Sequence, residues 1–217
     1  MKLAYILPAG LLCLAACQSP GAEREQAVPL AEDGTPCLAD RAALMAMDYW
    51  TFDQAPEGSR AVLARPGCEL AGADLIRDYH AALREKGEPV THTFEQGTVT
   101  FSETGEVVLL YWHEGQVRAM KGQKAEALDL FRKSVKPEDE NVMGWNEYAR
   151  ASIAFLEGDR EALEAERAGL AAKVPADNLN LGVVDGLIAC FGRSYREAYG
   201  APECDRRPGR QPVEAAP

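Results

Sequence analysis

A chain of 217 residues with 47% hydrophobic and 26% charged content is long and apolar enough to close one packed core but hardly two, and its bulk carries no signature of disorder. Its 34 acidic against 23 basic side chains give a formal charge of −11. That balance argues against nucleic acid as a partner and against direct adhesion to an anionic membrane surface, because both draw on clustered Lys and Arg.

The chain begins MKLAYILPAGLLCLAAC, in which Lys2 precedes an apolar run from Leu3 to Ala16. The run is too short, and too interrupted by Pro8 and Gly10, to span a bilayer, so residues 1–16 read as a secretory signal. Leu14-Ala15-Ala16-Cys17 resembles the lipobox of bacterial lipoproteins. The resemblance implies cleavage before Cys17, acylation of that cysteine (palmitate among the acyl groups) and a membrane contact made through the lipid alone. Gln18 stands where an aspartate favours inner-membrane retention in that family, which implies an outer-membrane lipoprotein facing the periplasm. From Gln18 to Pro36 there are Pro and Gly residues but no apolar period, so residues 17–36 read as the lipidated cysteine and a flexible tether with a reach of roughly 25 Å.

Beyond Cys13 and Cys17, four cysteines remain, Cys37, Cys68, Cys190 and Cys204, and an even count in an oxidising compartment reads as disulfides. Of the three pairings, helix geometry favours the local one. A helix over Asp40–Phe52, a turn at QAPEG and a return through Ser59–Ala64 bring Cys68 back beside Cys37, and the short returning helix Tyr195–Tyr199 does the same for Cys204 and Cys190. No CxxC occurs and no histidine lies at ligand spacing from a cysteine, so a metal reading lacks support. The next segment, CELAGADLIRDYHAALREKG, is the clearest helix. Gly72, Leu75, Ile76, Tyr79 and Leu83 share one face, Glu69 opens the helix, Arg84 and Lys86 close it, and Gly87 stops it. Residues 37–87 thus form a disulfide-clamped helical cap. In the connector 88–104, Thr91, Thr93, Val99, Thr100 and Phe101 alternate around Gln96-Gly97, which predicts a small β-hairpin near 90–102; a short helix and an extended linker, with Ser102 or Thr104 capping the helix that begins at Val108, is the alternative.

Val108, Trp112, Gly115 and Ala119 then recur at helical spacing, and Lys124, Ala127, Leu128, Phe131 and Val135 repeat the stripe after Gly122. Two helices fold back on each other at a glycine suited to the left-handed turn, and the short connection makes them antiparallel. Gly158 stands 36 residues later, between an apolar segment (Trp145, Tyr148, Ala149, Ser152, Phe155) and a more polar one (Ala162, Leu163, Glu166, Leu170), and Gly192 comes after another 34. A period of about 34 is the unit length of tetratricopeptide repeats. With Gly122 as the turn glycine the chain resembles that family, Gly115 and Ala127 taking its small positions and Phe131 its aromatic. The second unit departs from the pattern, with Leu163 and Arg167 where an alanine and an aromatic are expected, and the third keeps little beyond Gly192. The resemblance implies an all-α solenoid of three tetratricopeptide-like hairpins over 105–204; a generic array of helical hairpins has the same periodicity. The Pro-rich tail 205–217 reads as disordered.

Chemistry is hard to find. His80, His92 and His113 lack metal-ligand spacing, and His113-Glu114 reads as an ordinary polar pair beside Trp112. There is no nucleophile elbow and no phosphate-binding glycine loop, so no catalytic residue, metal or cofactor is expected. A surface remains. The resemblance implies that the first helix of each hairpin lines a concave groove, which places Leu109, Trp112, Gln116 and Ala119, and then Trp145, Tyr148, Ser152 and Phe155, against a protein or peptide partner. Trp112, Gln116, Trp145, Tyr148 and Ser152 are the groove residues proper, unless the aromatics simply fill the inter-helix core. The function expected is that of a non-catalytic, lipid-anchored adaptor. Three rivals have distinct signatures: a deep aromatic pocket for a small ligand or cell-wall fragment, convergence of a histidine with carboxylates for an envelope enzyme, and an aromatic seam for a homo-oligomer.

Overall fold

The computed structural model describes residues 28–210; the signal segment, Cys17 and most of the tether lie outside the described residues. The fold is mostly helical with one small two-stranded antiparallel sheet. The helix expected over 40–52 is two helices, α1 (Arg41–Ala46) and α2 (Tyr49–Gln54). Asp48 is the reason. Its carboxylate accepts from the Thr51 N–H and caps α2, as Asp40 caps α1 through the Ala43 N–H, and an Asp before a run of large residues is a better helix start than a helix interior. The chain returns through α3 (Ser59–Leu63) and enters α4 (Glu69–Lys86), which stops at Gly87 with φ of 61°. Cys37 and Cys68 are bridged across this turn with their Cα atoms 5.4 Å apart.

The expected hairpin is present as β1 (Val90–Phe94) and β2 (Gly97–Phe101), with Phe94 paired to Gly97 and Val90 to Phe101. An isolated ribbon is marginal in water. Here aromatic contacts hold it: Phe101 meets Tyr49 at 5.0 Å and Trp50 at 6.1 Å, and Phe94 meets Trp50 edge-on at 5.1 Å.

Three helix pairs complete the chain: α5 (Leu109–Met120) with α6 (Lys124–Lys133), α7 (Trp145–Glu157) with α8 (Arg160–Ala171), and α9 (Leu179–Ala189) with α10 (Tyr195–Gly200). The turn glycines 122, 158 and 192 have φ of 78°, 82° and 91°, the left-handed region that side chains disfavour. Within the first pair, a Cβ on Gly115 would stand 2.8 Å from the Phe131 ring, so the absence of a side chain sets how closely α5 and α6 approach. Cys190 and Cys204 are bridged with Cα atoms 5.7 Å apart.

The single core expected from length is two apolar clusters. One gathers Tyr49, Phe52, Leu75, Ile76, Tyr79 and Leu110; the other gathers Trp112, Phe131, Tyr148, Phe155, Leu163 and Leu187. Helix α5 serves both, with Leu110 fully buried toward the first and Trp112 and Ala119 buried in the second. Beyond Cys204 the chain remains packed through Arg210, where a disordered tail was expected. Asp205 is buried, accepting from the Arg207 guanidinium at 2.7 Å and from Arg210 at 3.3 Å, and the Arg206 backbone lies against Gly182 of α9. Residues 211–217 lie outside the described residues. No helix among the described residues is long and apolar enough to cross a membrane.

Candidate functional site

The junction of the two clusters is hollow. A cavity of about 510 Å³ opens between α2 and α3 on one side and α5, the first turns of α7 and α9, and α10 on the other. Its volume falls within the range of small-ligand sites. Trp112, Gln116, Trp145 and Tyr148 line one wall together with Leu109. Asp53, Gln54 and Arg60 line the facing wall, and Asn180 and Tyr199 complete it.

Trp112 and Tyr148 belong as much to the core as to the cavity. Trp112 stacks on Phe131 at 4.4 Å, Trp112 and Tyr148 are each only 3% exposed, and burial holds the Tyr148 phenol well above its usual pKa and so protonated. Trp145 and Gln116 are half-buried and present more of themselves. Trp145 is fixed by its indole N–H, which donates to the Ser134 carbonyl at 2.8 Å, and by Lys136, whose ammonium lies 5.2 Å from the ring centroid. Ser152 does not line the cavity. It is fully buried behind the wall near Tyr195, and neither hydroxyl has a hydrogen-bond partner among the described residues. Gln116 also approaches the Tyr195 hydroxyl without bonding it. Ala119 is buried in the core, as is Phe155.

Electrostatically the cavity is balanced, with Asp53 and Arg60 the formally charged groups on its wall. Asp53 sits on the buried side of α2 and is 1% exposed. One carboxylate oxygen bonds His113 Nδ1 at 2.7 Å, the other accepts from Gln54, and Arg60 donates from Nε to the Asp53 carbonyl at 2.9 Å. A carboxylate oxygen can only accept, so His113 donates from Nδ1 and its ring is oriented by Asp53. His113 is therefore no ordinary polar position, and neither is Glu114, which is 5% exposed and bonded to Arg118 at 2.7 Å.

Sequence reading missed Asp53, Arg60, His113, Asn180 and Tyr199. Asp53 and His113 are 60 residues apart, so no local spacing joins them; the available signal was a carboxylate on the apolar face of α2, beside Tyr49 and Phe52. The other histidines lie elsewhere. His92 bonds Asp48 at 2.7 Å next to the hairpin, and His80 is buried against Tyr111. Among the described residues no group of three or more His, Cys, Asp or Glu side chains is arranged to hold a metal ion. No family model matches the chain, and no curated protein or solved structure matches it either.

Proposed function

We propose that the protein is a lipid-anchored, non-catalytic binding module of the bacterial cell envelope, which holds a segment of a protein or peptide partner in the cavity between α2–α3 and α5–α7. The observation that carries this reading is convergence: Trp112, Gln116, Trp145 and Tyr148, drawn from two successive hairpins, line one 510 Å³ hollow. The Gln116 and Asn180 side-chain amides on its wall can exchange hydrogen bonds with a peptide backbone, while the aromatics supply contact area at low entropic cost. The envelope address rests on the lipobox-like Leu14–Cys17 segment and accords with two disulfides. A degenerate tetratricopeptide-like solenoid is supported by three successive helix pairs, each with a left-handed glycine at its turn, and by the Gly115–Phe131 contact at the family's small and aromatic positions.

The test is purification of the tagged protein from the native membrane. The reading expects a partner that is retained by wild type and lost by both Gln116→Ala and Trp145→Ala. A partner retained equally by all three rules the cavity out.

A second reading has an observation of its own. The buried Asp53 orients His113 within the same cavity, the arrangement that a general base requires. A panel of chromogenic esters and amides separates the two readings. Turnover that His113→Gln abolishes favours an envelope hydrolase, and absence of turnover leaves the binding module.

A further inference from the structure

A second concave region involves the neighbouring stripe of α5. Two adjoining hollows, of about 250 and 470 Å³, share His80, Arg84, Tyr111 and Lys133. The smaller is lined with aliphatic side chains, Leu83, Val90, Val107, Val108 and Val135. Cations on the wall of the larger are mostly neutralised in place: Arg118 bonds Glu114 at 2.7 Å and Asp74 at 2.8 Å, and Arg77 bonds Asp74 and Asp78. Lys133 is paired with Asp129 at 2.7 Å on the surface.

Arg84 differs from all of these. Its guanidinium donates to the Tyr111 hydroxyl at 2.9 Å, and among the described residues it has no carboxylate at ion-pair distance. Beside it stands His80, 6% exposed, its ring edge-on to Tyr111 at 4.3 Å and neither nitrogen bonded to another described residue. Burial, reinforced by the charge of Arg84, lowers the His80 pKa to about 4, so the imidazole is neutral at physiological pH and offers one N–H. An unpaired guanidinium, a phenol whose proton is free and a buried imidazole donor thus face apolar side chains, in a chain of net charge −11. Glu103, an exposed side chain, is the one carboxylate among the residues lining the smaller hollow.

We propose that this hollow is a binding site for a small organic anion with an aliphatic body, its carboxylate held by Arg84, the Tyr111 hydroxyl and the His80 N–H, and its hydrocarbon part by Leu83, Val107 and Val135. The planar guanidinium fork matches a carboxylate in two parallel bonds. A phosphate fits the chemistry less well, because its second charge finds no second unpaired cation among the lining residues and its compact shape leaves the aliphatic wall uncovered. The site is separate from the aromatic cavity and stands or falls independently of the partner-binding reading.

Calorimetric titration with hexanoate and with hexan-1-ol, which has the same body without the charge, is the test. Hexanoate is expected to bind about tenfold or more tightly than the alcohol, the factor a charge-assisted bond supplies. Methyl NMR shifts at Leu83, Val107 and Val135 place it in the hollow. Arg84→Gln, an exposed position at which the fold is retained, removes the difference between the two ligands, whereas Lys86→Gln, the same charge change on the same helix, leaves it. Equal affinity for the two ligands, hexanoate affinity unchanged in Arg84→Gln, or no methyl shift at millimolar hexanoate overturns the proposal.

Discussion

Opening the Cys37–Cys68 bridge removes the constraint that ties the start of the folded chain to the head of α4. The cysteines are 31 residues apart, and in the chain-entropy model closing such a loop is worth about 3.7 kcal/mol; the 14-residue separation of Cys190 and Cys204 gives about 3 kcal/mol. Cys37 and Cys68 are 3% and 0% exposed, so replacing both by alanine also leaves small voids, adding about 1 kcal/mol. A total near 4 to 5 kcal/mol is a large part of the stability of an ordinary domain. Native contacts across the same turn survive the change: the Glu32 N–H donates to the Pro66 carbonyl at 2.9 Å, and Arg65 bonds the Pro36 carbonyl at 2.8 Å. The loss should therefore arise mainly from a freer unfolded chain. Urea unfolding of wild type, Cys37→Ala/Cys68→Ala and Cys190→Ala/Cys204→Ala measures it. The expected result is a loss of about 4 to 5 kcal/mol for the first pair and about 3 to 4 for the second, whose cysteines are also buried, with a steeper m-value in both, because the uncrosslinked chain exposes more surface. A loss below about 1 kcal/mol with an unchanged m-value would mean that the bridges do not constrain the unfolded chain.

Other outcomes rest on single contacts. Gly115→Val drives a branched side chain into the Phe131 ring and the Leu130 Cβ, 2.8 and 3.2 Å from a Cβ at that position, and should cost about 1–3 kcal/mol in urea unfolding. Met143 has φ of 53° and is 63% exposed, so Met143→Val loses no buried contact yet should destabilise by about 1 kcal/mol through backbone strain, read from the thermal midpoint. His80 titrates near 4 in the native state against about 6.5 unfolded. Its contribution is full above pH 6.5 and is lost as pH falls from there toward 4, by about 3 kcal/mol, and unfolding curves of His80→Phe against wild type over that range should show the difference vanish from the variant. Hydrogen bonds from Arg207 hold the Asp205 carboxyl far below its usual range despite burial, so Asp205→Asn should cost about 2 kcal/mol at neutral pH. The gap between variant and wild type closes as pH falls below the ordinary carboxylate value and through the native one, as a pH series of denaturation midpoints will show.

Much of the fold is legible because it is local. Helix α4 carries its own acidic start, basic end and glycine stop, the β-hairpin turns at Glu95-Gln96, one residue before the expected Gln96-Gly97, and each bridge closes within one helical return. The errors also have local causes. Asp48 looks like a polar position in a continuing helix until its carboxylate caps a new one. Residues 205–210 look disordered by Pro208, Gly209 and their arginines, yet Arg207 and Arg210 fold back onto Asp205, next to a bridged cysteine. The aromatic stripe of α5 and α7 is readable as a stripe; whether it fills a core or lines a groove depends on what α2 and α3 place opposite it, and Trp112 does both. The Asp53–His113 pair is a product of that placement alone.

In the proposed function the hollow beside Trp145, rather than the outer helical surface, meets the partner. Photoreactive residues at Gln116 and at Trp145, with a control at exposed Lys124 on α6, test it directly when irradiated in the native organism and read by mass spectrometry. One dominant protein adduct common to Gln116 and Trp145 and absent from Lys124 is the predicted result. Adducts no stronger than those of the control, or strongest at Lys124, would place the partner on the outer helical surface instead.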